Sequence, residues 1–159
     1  MIQKKLSQQK VCNFIASVGK VGYLPASGTW GSVVALPFAW ILVGTIWLPL
    51  LTLFSFIIGA ITIHPLIKNQ KEKDPSFVVI DEFMGQLAVF CLMDKTMMTP
   101  ISLIFGFLFF RLFDILKPWP ASFYDKKVHT GFGVMMDDLA AAVYGIICLA
   151  FMEIISYYI

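Results

Sequence analysis

Five carboxylates stand out for what surrounds them: Asp81 and Glu82 in VVIDEFMGQ, Asp114 in FRLFDILK, and Asp137 and Asp138 in GVMMDDLAAAV. Each lies inside or at the edge of an apolar run. Ionisable groups are costly at such positions and are functional candidates by default. Arg111, Asp114 and Lys117 are spaced three apart, which on a helix confines them to an arc of roughly 120°. Asp125, Lys126, Lys127 and His129 complete a charged stretch between Phe110 and Asp138.

Five crowded carboxylates repel one another, and a divalent cation relieves that repulsion. With two histidines in the chain and no cysteine pair, the donors are oxygens, which favours Mg²⁺ or Mn²⁺ over Zn²⁺. Asp81, Glu82, Asp114, Asp137 and Asp138 are the candidate metal ligands. Arg111, the only arginine, carries a planar fork suited to phosphate. Lys117, with Lys126 or Lys127, adds positive charge beside it. This set suits hydrolysis of a phosphate ester by water, with cation and guanidinium stabilising the oxygens. His129 is a candidate proton donor to the leaving alkoxide, although a lone interfacial histidine also serves structure. Each acidic pair could instead simply favour a helix N-terminus. Gly28, Gly31, Gly131 and Gly133 would admit phosphate oxygens to backbone amides or serve tight turns, and spacing leaves that open. Gly85, four residues after Asp81, would let a neighbouring helix approach the acidic face. Met135 and Met136 read as packing residues, and Cys12, Cys91 and Cys148 as free buried thiols.

What elements would carry these groups? The 159 residues are 58% hydrophobic and 14% charged, against about 25% charged in a soluble domain. One domain spanning 1–159 with the bilayer as its solvent follows. We expect an all-α polytopic membrane bundle of about five spans, at 31–47, 50–67, 77–93, 101–116 and 134–157. Gly44 and Pro49 divide the first two, for which a hairpin dipping part-way is the alternative. Thr29 or Ser32 is expected to cap the first span. Residues 1–18 read as an interfacial amphipathic helix. This count puts eleven of the twelve basic residues on one side, with only Lys95 opposite. The positive-inside rule makes that side cytoplasmic. The carboxylates and the Gly28–Ser32 stretch fall at the same level.

In this order SGTWGSVVALPF, VVIDEFMGQ and FRLFDILKPWPASFYDKKVHTGFGVMMDDLAAAV resemble the bacterial phosphatidylglycerophosphatase A family, over about residues 22–145. The resemblance implies a Mg²⁺-dependent, multi-pass phosphatase of the bacterial inner membrane. Its substrate would be the membrane lipid phosphatidylglycerophosphate and its products phosphatidylglycerol and inorganic phosphate. It carries over Asp81, Glu82, Asp114, Asp137 and Asp138 as acids, and places Thr29, Arg111, Lys117, Asp125 and His129 within matching motifs. On this reading Thr29, Arg111, Lys117 and Lys126 bind phosphate, and Asp81, Glu82, Asp114, Asp138, Arg111 and His129 are catalytic. Ser27 departs from the proline that often precedes Gly-Thr there. The rival readings are a divalent-cation transporter or channel, which needs polar groups across the whole membrane, and a non-catalytic scaffold. Nothing points to nucleic acid, and no stripe fixes an oligomeric state.

Overall fold

The shortest of the apolar helices sits at the centre of the molecule. The computed structural model describes residues 2–67 and 75–158, apart from the side chains of residues 2–6 and of Tyr157. It forms seven α-helices: α1 (Ile2–Ala16), α2 (Ser27–Leu42), α3 (Trp47–Ile67), α4 (Ile80–Val89), α5 (Pro100–Leu116), α6 (Ala121–Lys127) and α7 (Gly131–Tyr158). No strand occurs among the described residues.

Nine of the ten residues of α4 are buried, and Glu82 is partly so. Helices α2, α3 and α7 surround it, and α5 touches it. Two acids in its first turn suit the positive end of the helix dipole. Small residues admit the neighbours. Gly31 of α2 lies against Val79, where an added Cβ would sit 2.9 Å from the Val79 carbonyl oxygen. Gly85 of α4 meets α5 and α7 together: a Cβ there would be 2.5 Å from the Phe110 ring and 3.2 Å from the Asp138 carbonyl oxygen. The close approach expected at Gly85 is therefore present, on the helix that carries Asp138.

The expected span at 77–93 shortens to these ten residues. It starts where the Val79 amide donates to the Ala16 carbonyl at 2.9 Å, and it unwinds in a turn after Phe90. Ten residues rise about 15 Å, half of a hydrocarbon layer. Among the described residues, two helices are long and apolar enough to cross a membrane: α3, and α7 over Gly131–Ser156. Helix α2 has 16 residues and α5 has 17, short of the roughly 20 a crossing takes. The outward faces of α2, α3, α5 and α7 are nonetheless apolar, with Ile41, Ile61, Ile115 and Phe151 all more than 60% exposed. Helices α2 and α3 touch each other little and pack on α4, so they do not form a self-contained hairpin.

Other expectations shift for local reasons. Thr29 and Ser32 lie inside α2 and not at its cap, which is Ala26, in the left-handed region with φ 55°. The Ser32 hydroxyl donates back to the Gly28 carbonyl instead. Gly44 does make the α2–α3 turn, with φ +74°, whereas Pro49 falls in the first turn of α3. Helix α1 forms, but its apolar residues do not share one face. Cys12, Ile15 and Ala16 pack inward while Val11 and Phe14 are exposed, which removes the amphipathic reading. Helix α6 arises within what reads in sequence as a connector.

Contacts at the two ends fix the alternation of the helices. At one end the α2–α3 turn meets Lys95, whose Nζ donates to the Ile41 carbonyl at 3.3 Å. At the other, Ala16 meets Val79, Ser27 meets Ser76, and Gly131 packs on the backbone of Ala60 and His64. Lys20, Arg111, Lys117, Lys126 and Lys127 gather at that second end, away from Lys95. Lys68, Lys71 and Lys73 lie outside the described residues.

Candidate active site

Asp81 and Glu82, in the first turn of α4, meet Asp138, two turns into α7, at the end opposite Lys95. One carboxylate oxygen from each lies within 4.8 Å of the others. Asp81 and Asp138 are each only 3% exposed. Asp81 Oδ1 and Asp138 Oδ2 have no hydrogen-bond partner among the described residues. Carboxylate oxygens left without partners in so dry a place are unfavourable. Oxygens alone make up this donor set, and the set fits a hard divalent cation such as Mg²⁺.

Glycine makes room for the third member. An added Cβ on Gly28, in the first turn of α2, would collide with Glu82 Oε1 and lie 3.2 Å from Arg111 Nη1. The guanidinium therefore borders the trio. Arg111 Nη1 lies 2.7 Å from Asp114 Oδ2, one turn along α5. That contact is off the line of the N–H, so it is an ionic attraction and not a directed hydrogen bond. Asp114 is also near enough to Asp138 for the two charges to repel.

A second, separate constellation lies beside the first. Lys117 ends α5 in the left-handed conformation, φ 45°, and so leaves the arc that Arg111 and Asp114 share. Its Nζ donates to Asp137 Oδ2 at 2.9 Å and to Asp125 Oδ1 at 3.1 Å. Burial alone would lower the Lys117 pKa. The Asp137 charge and the two hydrogen bonds outweigh burial and hold it above the ordinary lysine range. Asp137 Oδ1 also accepts the Asp138 amide at 3.0 Å. Asp137 is thus held by Lys117 and stands outside the trio, while Lys117 is occupied by carboxylates.

The remaining candidates are more peripheral. Thr29 is half-buried beside Gly28. Lys126 and Lys127 are exposed on the last turn of α6, and His129 is exposed in the α6–α7 connector. His129 makes no hydrogen bond or ion pair among the described residues. Sequence reasoning passed over Gln86, which is wholly buried with neither side-chain amide atom hydrogen-bonded among the described residues. The available signal was a glutamine in an apolar run, four residues after Glu82.

Residues 14–153 match the family described as phosphatidylglycerophosphatase A. The chain belongs to the phosphatidylglycerophosphatase A family. It is 33% identical to phosphatidylglycerophosphatase A of Haemophilus influenzae over 126 residues, 77% of this chain and 76% of that one. It is 32% identical to phosphatidylglycerophosphatase A of Escherichia coli over 118 residues, covering 73% and 67% of the two chains. A Bacteroides thetaiotaomicron protein, provisionally named as a phosphatidylinositol-3-phosphatase, is 31% identical over 135 residues, 83% of this chain and 80% of that one. No solved structure matches. The phosphatidylglycerophosphatase A match includes the trio, Arg111, Asp114 and the Lys117 constellation.

Thr52, Ser55 and Thr62 are the buried hydroxyls of α3, and those of Thr52 and Thr62 donate to the carbonyls of Leu48 and Ile58 in their own helix.

Proposed function

We propose that this protein is a Mg²⁺-dependent lipid phosphatase. It hydrolyses phosphatidylglycerophosphate to phosphatidylglycerol and inorganic phosphate at the cytoplasmic face of a bacterial inner membrane. One observation carries the reading: three carboxylates from two helices converge at the charged end of an otherwise apolar bundle, with buried oxygens lacking partners. Family membership makes the phosphate ester the natural substrate for such a set.

Asp81, Glu82 and Asp138 would hold the cation, while Asp114 stands outside that trio, paired with Arg111. Mg²⁺, when bound, supplies Lewis-acid charge stabilisation to phosphoryl transfer. Arg111 has five donors and spends one contact on Asp114, which leaves the others for phosphate oxygens. Thr29 and the first turn of α2 border the same space through Gly28. Water bonds to phosphorus as the ester P–O bond breaks, and the departing glycerol oxygen takes a proton. His129, solvent-facing in the connector, is the candidate donor. Lys117 acts indirectly, by fixing Asp137 and through it the start of α7.

The apolar outward faces of α2, α3, α5 and α7 are suited to acyl chains, so the lipid can present its head group without leaving the bilayer. The lysines near the site suit the cytoplasmic leaflet. The test is phosphate release by purified protein from phosphatidylglycerophosphate in mixed micelles. Release should stop with EDTA and return with excess Mg²⁺. Release indifferent to chelation would overturn the cation, and no release with any divalent ion would overturn the phosphatase. A parallel assay with phosphatidylinositol 3-phosphate tests the head group, given the name of the Bacteroides relative.

A further inference from the structure

Gln86 lies on α4 one turn beyond Glu82 and is 0% exposed. Neither its Oε1 nor its Nε2 has a hydrogen-bond partner among the described residues. Burying an amide in that way is destabilising, a cost that a methionine of similar length would avoid. Side chains on a helix lean toward its N-terminus, so residue i+4 covers the turn that holds residue i. Gln86 thus follows Glu82 by one turn on the same side of α4, and Asp81 Oδ1 in that first turn also lacks a partner among the described residues. The backbone of Asp138 approaches α4 at Gly85, the adjacent residue, and Asp138 Oδ2 is likewise unpartnered. Buried polar atoms without partners therefore occur on adjoining turns of α4 and on the stretch of α7 that faces it. Together they complement a hydrated cation that carries an anion. Carboxylate oxygens would hold the metal, the amide oxygen would accept from a water of its shell, and the amide N–H would donate to an anionic oxygen.

We propose that Gln86 is a positioning residue of the cation site, its carboxamide holding the hydrated cation and the substrate phosphate against Asp81, Glu82 and Asp138. The assignment rests on the phosphatase reading above. Gln86→Met keeps the length and the packing but removes both polar atoms. In EDTA the variant should unfold at the wild-type temperature or above it, because an unmet amide has gone. Added Mg²⁺ should raise the midpoint of the wild type. The variant should need about 10-fold more Mg²⁺ or beyond for the same rise, and for half-maximal phosphate release. Gln86→Glu, which restores an oxygen acceptor, should recover the Mg²⁺ response. A methionine variant that responds to Mg²⁺ as the wild type does would overturn the Gln86 assignment alone. A wild-type protein indifferent to Mg²⁺ would overturn the cation site and this assignment with it. If the methionine variant does not fold, Gln86→Leu is read in the same way, and loss of the fold in both would make the amide structural and overturn the proposal.

Discussion

Asp137 and Asp138 are consecutive on α7 and almost equally buried, at 4% and 3% exposure. Their surroundings are opposites. Asp137 has the Lys117 ammonium at 2.9 Å and the Asp138 amide at 3.0 Å. Asp138 faces two more carboxylates and leaves an oxygen without a partner. A rotation of about 100° around one helix separates a compensated charge from an uncompensated one. Burial alone therefore does not identify a reactive carboxylate. The absence of an internal counter-charge separates the two neighbours, and under the proposed function it gives Asp137 to the fold and Asp138 to the chemistry.

The sharpest way to break this contrast is to neutralise each side. Asp138→Asn and Asp81→Asn should lower phosphate release at least about 100-fold. In EDTA they should unfold no earlier than the wild type, since each removes one charge from three crowded, buried carboxylates. A clear loss of metal-free stability in both would erase the distinction. Asp137→Asn should do the reverse. It strips one carboxylate from a part-exposed Lys117, and should cost about 1–2 kcal/mol in denaturant unfolding while retaining over a tenth of the activity.

That penalty should be constant from pH 6 to 9. The folded pKa of Lys117 is raised, so its stabilisation is complete below the unfolded lysine value near 10.5 and fades only as pH climbs through the folded one. A penalty that changes between pH 6 and 9 would assign the effect to another group.

Gly28→Ala sharpens the comparison from the active side. The new methyl displaces Glu82 Oε1, the end of a flexible side chain, so the thermal midpoint should hardly move while phosphate release falls about tenfold. Unchanged turnover would remove Glu82 from the trio. The smallest effect is expected from Lys126→Ala, under about twofold in phosphate release, because that side chain is exposed on α6. A larger fall, carried by KM, would return Lys126 to the phosphate.

Much of the architecture could be read from residue types. Apolar runs with Pro100 and Pro118 at their borders bound α5 within a residue of its observed ends, and the alternation of spans brought Asp81, Glu82, Asp114 and Asp138 to one level. Sequence did not divide those acids by partner. Lys117 is three residues from Asp114 and would be read as its neighbour on the helix. Its left-handed backbone turns it toward Asp125 and Asp137 instead, a decision made by the chain reversal and not by periodicity. The length of α4 was hidden too, because a buried core helix and a membrane span share the same apolar composition. Gln86 was missed for a related reason: one amide in an apolar run has no pattern until its lack of partners is seen.

The brevity of α4 has a consequence for biogenesis. A segment of about 15 Å bearing two acids and a glutamine is a poor stop-transfer sequence on its own. In a two-stage view of membrane assembly the longer helices insert first, and α4 docks among them afterwards. The site would then come into being only with that docking. A nascent chain released before α7 has been made would carry Asp81 and Glu82 but hold no finished pocket.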